Sequence, residues 1–324
     1  MKILVTGGAG FIGSHTCERL LALGHRVVAI DNFDPYYPPE RKRRNIATAL
    51  TSPNYTLIEG EYGDRLALSK LLQAELFDVV IHLAAQAGVR PSIENPLKYE
   101  HVNVRSLIAL LEAMRDYGPR KIIAASSSSV YGNVTPAPFR EDAPCLQPQS
   151  PYGASKRASE IFLGTYSALY GFKTIVIRPF TVYGPRQRPD MAIAMFARKI
   201  LLGETITLFG DGSSSRDYTF VGDIVDGLCQ AVERFPVDFG IYNFGGDAPI
   251  SLSDLVKELE IATGKTAKIE RKEMQQGDVE RTSADITRAR RDLGFNPQVS
   301  IKEGLARTVA WVREELAREG LNVQ

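Results

Sequence analysis

The chain's 324 residues are 44% hydrophobic, enough to bury a large core as one α/β unit or two interleaved lobes. Its 39 Lys and Arg against 38 Asp and Glu leave a formal charge of +1, with no net field to recruit nucleic acid or an anionic membrane. Three dispersed cysteines and four histidines in no ligand-like cluster speak against disulfides and against a metal. No apolar run reaches bilayer length and the chain opens directly on a strand, so a cytoplasmic protein is expected.

Short β-branched runs at 2–6, 26–31, 55–59, 79–83, 121–126 and 173–178 read as strands, nearly continuous in apolar character as strands buried on both faces are. Amphipathic stretches at 11–23, 67–76, 102–117 and 152–170 read as the helices between them. This alternation predicts the α/β class, a doubly wound parallel sheet of Rossmann type, because parallel neighbours need crossovers. The run Arg41-Lys42-Arg43-Arg44 beside Glu40 reads as a solvated helix face, with an anion-binding patch as the alternative. After 178 prolines interrupt the rhythm, leaving helices at 192–202, 223–233, 252–263 and 301–319, a loop at 210–215 and one strand at 241–244.

Gly7-Gly8-Ala9-Gly10-Phe11-Ile12-Gly13 joins the first strand to the first helix. A tight turn needs backbone freedom, close approach to a pyrophosphate forbids side chains, and the helix start offers amide donors with a favourable dipole. Asp31 closes the second strand, where a carboxylate accepts from ribose hydroxyls. That carboxylate would repel a 2′-phosphate and Asn32-Phe33 supplies no arginine, so the expected cofactor is NAD rather than NADP. The expected organisation is an NAD-binding Rossmann domain over 1–178, joined by a strand and helix from 216–245. A smaller C-terminal substrate-binding α/β lobe, 179–215 and 246–324, would cap the carboxyl ends of the strands.

Tyr152 and Lys156 fall one turn apart at the start of a helix, just after Ser150-Pro151. A free phenol, with a pKa of about 10, is a poor base at neutral pH; a neighbouring ammonium and a positive nicotinamide ring would lower it. The hydroxyls of Ser126-Ser127-Ser128-Ser129, at the end of the fifth strand, offer a second proton-handling group. Tyr-x-x-x-Lys alone recurs by chance. Downstream of a dinucleotide turn it points to proton transfer coupled to hydride transfer.

With Leu83-Ala84-Ala85, Asn103 and the Ser-Ser-Val130-Tyr131-Gly132 stretch, these pieces resemble the extended short-chain dehydrogenase/reductase family over essentially the whole chain. Within it the chain is most similar to the nucleotide-sugar 4-epimerases. The resemblance implies a catalytic set of Tyr152, Lys156 and Ser127, the serine three before Val-Tyr-Gly. It implies cofactor contacts from Gly7, Gly10, Phe11, Ile12 and Gly13, from Asp31 and Asn32, and from Glu61 and Tyr62, Glu61 standing where relatives usually carry Asp near the adenine. Leu83, Ala84, Ala85, Asn103, Ser126, Tyr152 and Lys156 complete that set. On the side of a UDP-sugar it implies Arg216 for the diphosphate, with Ser128, Gln275 and Asp278; Gln275 replaces a second diphosphate-binding arginine of glucose/galactose epimerases. The helices 102–117 and 152–170 form the dimer interface in similar proteins, so a homodimer is expected, although Leu107, Leu110, Leu111 and Met114 would equally suit a core.

Ser128 and Ser129 narrow the reaction. Similar 4,6-dehydratases carry an Asp-Glu pair right after the catalytic hydroxyl, and UDP-glucuronate decarboxylases a glutamate just before Val-Tyr-Gly; serine can replace neither. Epimerisation remains, in which Tyr152, assisted by Ser127, takes the 4-hydroxyl proton as hydride leaves carbon 4, and the 4-keto sugar turns over before both return. The stretches 31–37, 87–92, 181–191 and 277–282 resemble the UDP-glucuronate 4-epimerase branch. A sugar carboxylate wants a guanidinium fork. Arg188 is the candidate, supported by Thr181, with Arg90 and Arg186 behind it, and phosphate binding or packing as alternative roles. Because 4-keto glucuronate is a β-keto acid, its carboxylate must be held out of line for decarboxylation. UDP-glucose or UDP-N-acetylglucosamine stays open as substrate, Thr282 leaving room where some epimerases carry a tyrosine. Outside epimerases, the competing classes are a dehydrogenase or reductase that releases NADH and a non-catalytic NAD-binding module.

Overall fold

β1 (Lys2–Thr6), β2 (Arg26–Asp31), β3 (Tyr55–Glu59), β4 (Val79–His82), β5 (Lys121–Ala125) and β6 (Lys173–Pro179) lie where the apolar runs place them. With Phe239–Phe244 they form one seven-stranded sheet, ordered Phe239–Phe244, β6, β5, β4, β1, β2, β3, and every neighbouring pair is parallel. The structure is a computed structural model that describes residues 1–273 and 281–321. Alternate side chains explain why both faces are apolar: Ile3, Val5 and Ile81 pack on one side of the sheet, Leu4, Val80 and Ile122 on the other. Strand order reverses between β1 and β4, opening the crevice in which doubly wound sheets bind ligands.

The helices start where the chain caps them. Asp64 accepts from the amides of Leu66 and Ala67, so the helix expected at 67–76 begins earlier and runs Arg65–Ala74. Ser150 caps Pro151–Tyr170, and Gly171, at φ 68°, ends it in the left-handed region. The helix expected at 102–117 is two pieces, a π-helical turn His101–Arg105 followed by Ser106–Tyr117. Such turns often mark functional sites, and this one carries the buried Asn103. Leu107, Leu110, Leu111 and Met114 are wholly buried in the chain's own core, so they cannot form a dimer face.

The basic run is a solvated face only in part, with Arg43 and Arg44 exposed and Lys42 buried. Within the helix Pro39–Asn45, Lys42 is buried against Asp31 at 3.2 Å. Arg43 pairs with Glu59, while Arg41 and Arg44 reach Glu319 and Glu315 at the C-terminal end of the chain. Short elements the sequence pattern leaves unmarked include the helices Val89–Glu94 and Pro96–Glu100 and a strand pair, Thr205–Phe209 with Lys268–Lys272. Leu255 and Val309, from the helices Leu252–Thr263 and Ile301–Arg318, join the same apolar cluster as β1, so the C-terminal part shares the sheet's core. Among the described residues no helix is long and apolar enough to cross a membrane, and no group of three or more potential ligands could hold a metal ion.

Candidate active site

The strand ends, the glycine turn and loops after β6 enclose a cavity of about 470 Å³. Two glycines of the turn are required by the turn itself. A Cβ on Gly13 would stand 2.1 Å from the Gly7 carbonyl oxygen, and one on Gly7, at φ 72°, would strike the backbone of Ala84. At Gly10 a Cβ would meet only the Gly7 oxygen, at 3.1 Å, so that glycine leaves space open. The helix Phe11–Ala22 that follows has no side-chain cap and no acid in its first turn. Uncapped amides, a helix dipole and a cradle without side chains fit a pyrophosphate.

Asp31 is buried and held by the amides of Ala9 (3.1 Å) and Phe33 (2.9 Å) and by Lys42. Phe11, Ile12, Leu83, Ala84, Ala85 and Tyr62 line the same half of the cavity. Asn32 and Glu61 line it too, bonded to each other at 3.0 Å. Asn103 does not line it. Its side-chain amide bonds both the N–H and the carbonyl of Gln86, and it also donates to Ser155 Oγ. It therefore acts one layer back, fixing the loop after β4.

Tyr152, Lys156, Ser127 and Ser128 meet across the strand ends. Lys156 donates to the Ala125 carbonyl at 2.7 Å, and burial pushes its pKa down to about 8 against the opposing charge of Glu160. Burial raises the Tyr152 phenol, opposed by a hydrogen bond with Ser127 and by the charge of Arg188. The expectation that the lysine tunes the tyrosine needs correcting, because the ammonium is turned to a backbone carbonyl and desolvation dominates. Ser126 lines the cavity, but its hydroxyl is committed to Glu160 (2.6 Å), which Arg178 grips through two bonds of 2.8 Å. Asp31, Asp34 and Glu61 are the carboxylates lining the cavity among the described residues, and all come from the ends of β2 and β3. None stands beside Tyr152.

Arg188, Thr181 and Arg216 line the other half. Asp217, the surface partner that Arg216 could have had, is instead fully buried, accepting from the amides of Gly246 and Ala284. Arg90 is exposed with its guanidinium over the Phe209 ring and does not line the cavity. Arg186 is turned away to Glu18 and Ser14. Gln275 and Asp278 lie outside the described residues. Tyr36, Lys42, Gln86 and Met191 line the cavity without having been assigned to the site from the sequence.

The model of the NAD dependent epimerase/dehydratase family matches residues 3–245. The chain belongs to that family. It is 40% identical to a UDP-glucuronate 4-epimerase of Thermodesulfobacterium geofontis over 97% of this chain and 96% of that protein. The crystal structure of UDP-glucuronic acid 4-epimerase from Bacillus cereus, in complex with UDP-glucuronic acid and NAD, matches it with a TM-score of 0.92 and 38% identity, covering 97% of this chain and all of that one. A UDP-glucose 4-epimerase from Thermotoga maritima, with UDP-glucose, gives 0.88 and 35% over 98% of this chain and all of that one. Family membership makes the chain an NAD-dependent enzyme, as the glycine turn and Asp31 led us to expect.

Proposed function

We propose that the chain is a UDP-glucuronate 4-epimerase, interconverting UDP-glucuronate and UDP-galacturonate through a 4-keto intermediate. One observation carries this: Arg188 shares a cavity with Tyr152 and Ser127, and among the described residues the carboxylates that line it, Asp31, Asp34 and Glu61, belong to its cofactor half. An arginine there recognises an acidic sugar. The missing carboxylate removes the acid or base that elimination would need. Relatives with the same reaction in their names, at about 40% identity over nearly the full chain, support it.

NAD, cradled by the glycine turn and Asp31, supplies a reversible hydride acceptor at carbon 4. Tyr152 takes the 4-hydroxyl proton, with Ser127 sharing the hydrogen bond, and returns it after the keto sugar has turned over. Lys156 stays anchored on the Ala125 carbonyl, and the positive nicotinamide ring of bound NAD would stabilise the phenolate when the proton has left. Thr181, in a substrate lobe formed by 179–215 and 246–324, holds the nucleotide sugar together with Arg216 and Ser128 of the NAD-binding domain. Arg188 grips the sugar carboxylate, keeping it out of line for loss of carbon dioxide. The enzyme works in the cytoplasm as a homodimer, for which the exposed Leu97 and Ile161 are the apolar contacts in place of the buried leucines. Separate incubations with UDP-glucuronate, UDP-glucose and UDP-N-acetylglucosamine test the substrate. The acid should be epimerised with the highest kcat/KM; faster turnover of either neutral sugar would refute the assignment.

A further inference from the structure

Arg188 is held from outside the cavity. Asp190 grips it side-on, accepting from Nε and Nη2 at 3.0 Å each. Tyr36, arriving from the loop after β2, donates its hydroxyl to Asp190 Oδ2 at 3.1 Å and sets its ring 5.4 Å from the guanidinium. That loop is itself tied down, because Asp34 accepts from the amide of Tyr36 and from Lys98 Nζ. A guanidinium presents two bidentate edges. Asp190 fills the Nε–Nη2 edge, and Nη2 also meets the weak acceptor Met191 Sδ at 3.6 Å, which a second carboxylate on the Nη1–Nη2 edge would displace.

We propose that Asp190 and Tyr36 form a latch that fixes the plane of Arg188, and that this orientation, more than the arginine's charge, gives the site its preference for an acidic over a neutral sugar. The inference rests on Arg188 being the carboxylate partner. A site selecting by charge alone would be better served by an uncompensated arginine, yet here the guanidinium sits beside a carboxylate that cancels it. Asp190 also stays 40% exposed against 18% for Arg188, so their attraction is screened and contributes little stability. What the pair contributes is direction. The same latch joins the two halves of the cavity, since only a few residues separate Tyr36 from Asp31 at the ribose end.

Asp190→Asn separates direction from charge. It keeps the side chain's size, removes the negative charge and weakens the grip. For UDP-glucuronate kcat should fall roughly tenfold, as expected for a misplaced reactant, while KM does not rise, because an attracting charge has been unmasked. Turnover of UDP-glucose should fall less, so the acid-over-neutral ratio of kcat/KM drops. Tyr36→Phe, which keeps the ring and loses the hydroxyl, should move the same way by a smaller factor. Arg188→Ala is the control and should raise KM for the acid. If Arg188→Ala removes the preference but Asp190→Asn raises KM at unchanged kcat, or changes neither, the latch is wrong and the carboxylate assignment stands. If Arg188→Ala keeps the preference, the assignment fails and the latch with it. Bound NAD and melting temperature, measured on each variant, show whether a loss comes from the fold.

Discussion

The two halves of the cavity are built from different material. The cofactor half is backbone: a glycine turn whose atoms leave no room for a Cβ at Gly13, uncapped helix amides, and Asp31 fixed by two peptide N–H groups. The sugar half is long side chains on loops, and Arg188 owes its position to Asp190 and Tyr36 rather than to its own strand or helix. Backbone geometry is all-or-none, whereas a side chain held by others can be re-aimed in small steps. A family built this way can keep one cofactor and change its sugar.

The largest expected effect lies in the backbone half. Gly13→Ala should abolish NAD binding, because a methyl 2.1 Å from the Gly7 oxygen forces the turn open. Measured cofactor content per chain would fall from near one to near zero; a Gly13→Ala protein that keeps its NAD would break the contrast between the halves. The Asp190 variant sits next, with its roughly tenfold effect confined to kcat.

The smallest effect is on stability, at Lys156. Burial lowers its pKa to about 8, while the unfolded chain holds that proton up to about 10.4. Between those values the unfolded state binds more protons, so stability rises with pH through that window, and below about 8 the buried ammonium is a burden on the fold. Lys156→Met should therefore abolish turnover yet melt a few degrees higher at pH 7, with the gap to the parent closing as pH rises past 8. A lower melting temperature at pH 7 would show that the bond to the Ala125 carbonyl outweighs the desolvation.

What was legible in the sequence follows the same division. β1, β2, β4 to β6 and the glycine turn declare themselves because burial on both faces and the absence of Cβ atoms leave compositional traces. Tyr152 and Lys156 were picked out by spacing and Ser127 by resemblance, and all three line the cavity. Lys42 was not, since its charge neighbours read as solvent-facing and its burial depends on Asp31 across the fold. Asn103 was assigned to the cofactor, but a π-helical turn places it behind Gln86. Arg188 ranked ahead of Arg186 and Arg90 in the sequence, and the tertiary partners Glu18 and Phe209 account for those two. Tyr36 and Asp190 each sat in a stretch resembling the UDP-glucuronate branch, but nothing local paired them, because the two loops lie far apart along the chain.

The proposed oxidation at carbon 4 is undone within the same active site. It is tested most directly with UDP-glucuronate carrying deuterium at carbon 4, incubated with the purified holoenzyme and no added NAD. UDP-galacturonate should form with the deuterium still on carbon 4, without accumulation of reduced cofactor or release of carbon dioxide. Deuterium lost to solvent, or NADH formed in step with a keto product, would contradict it.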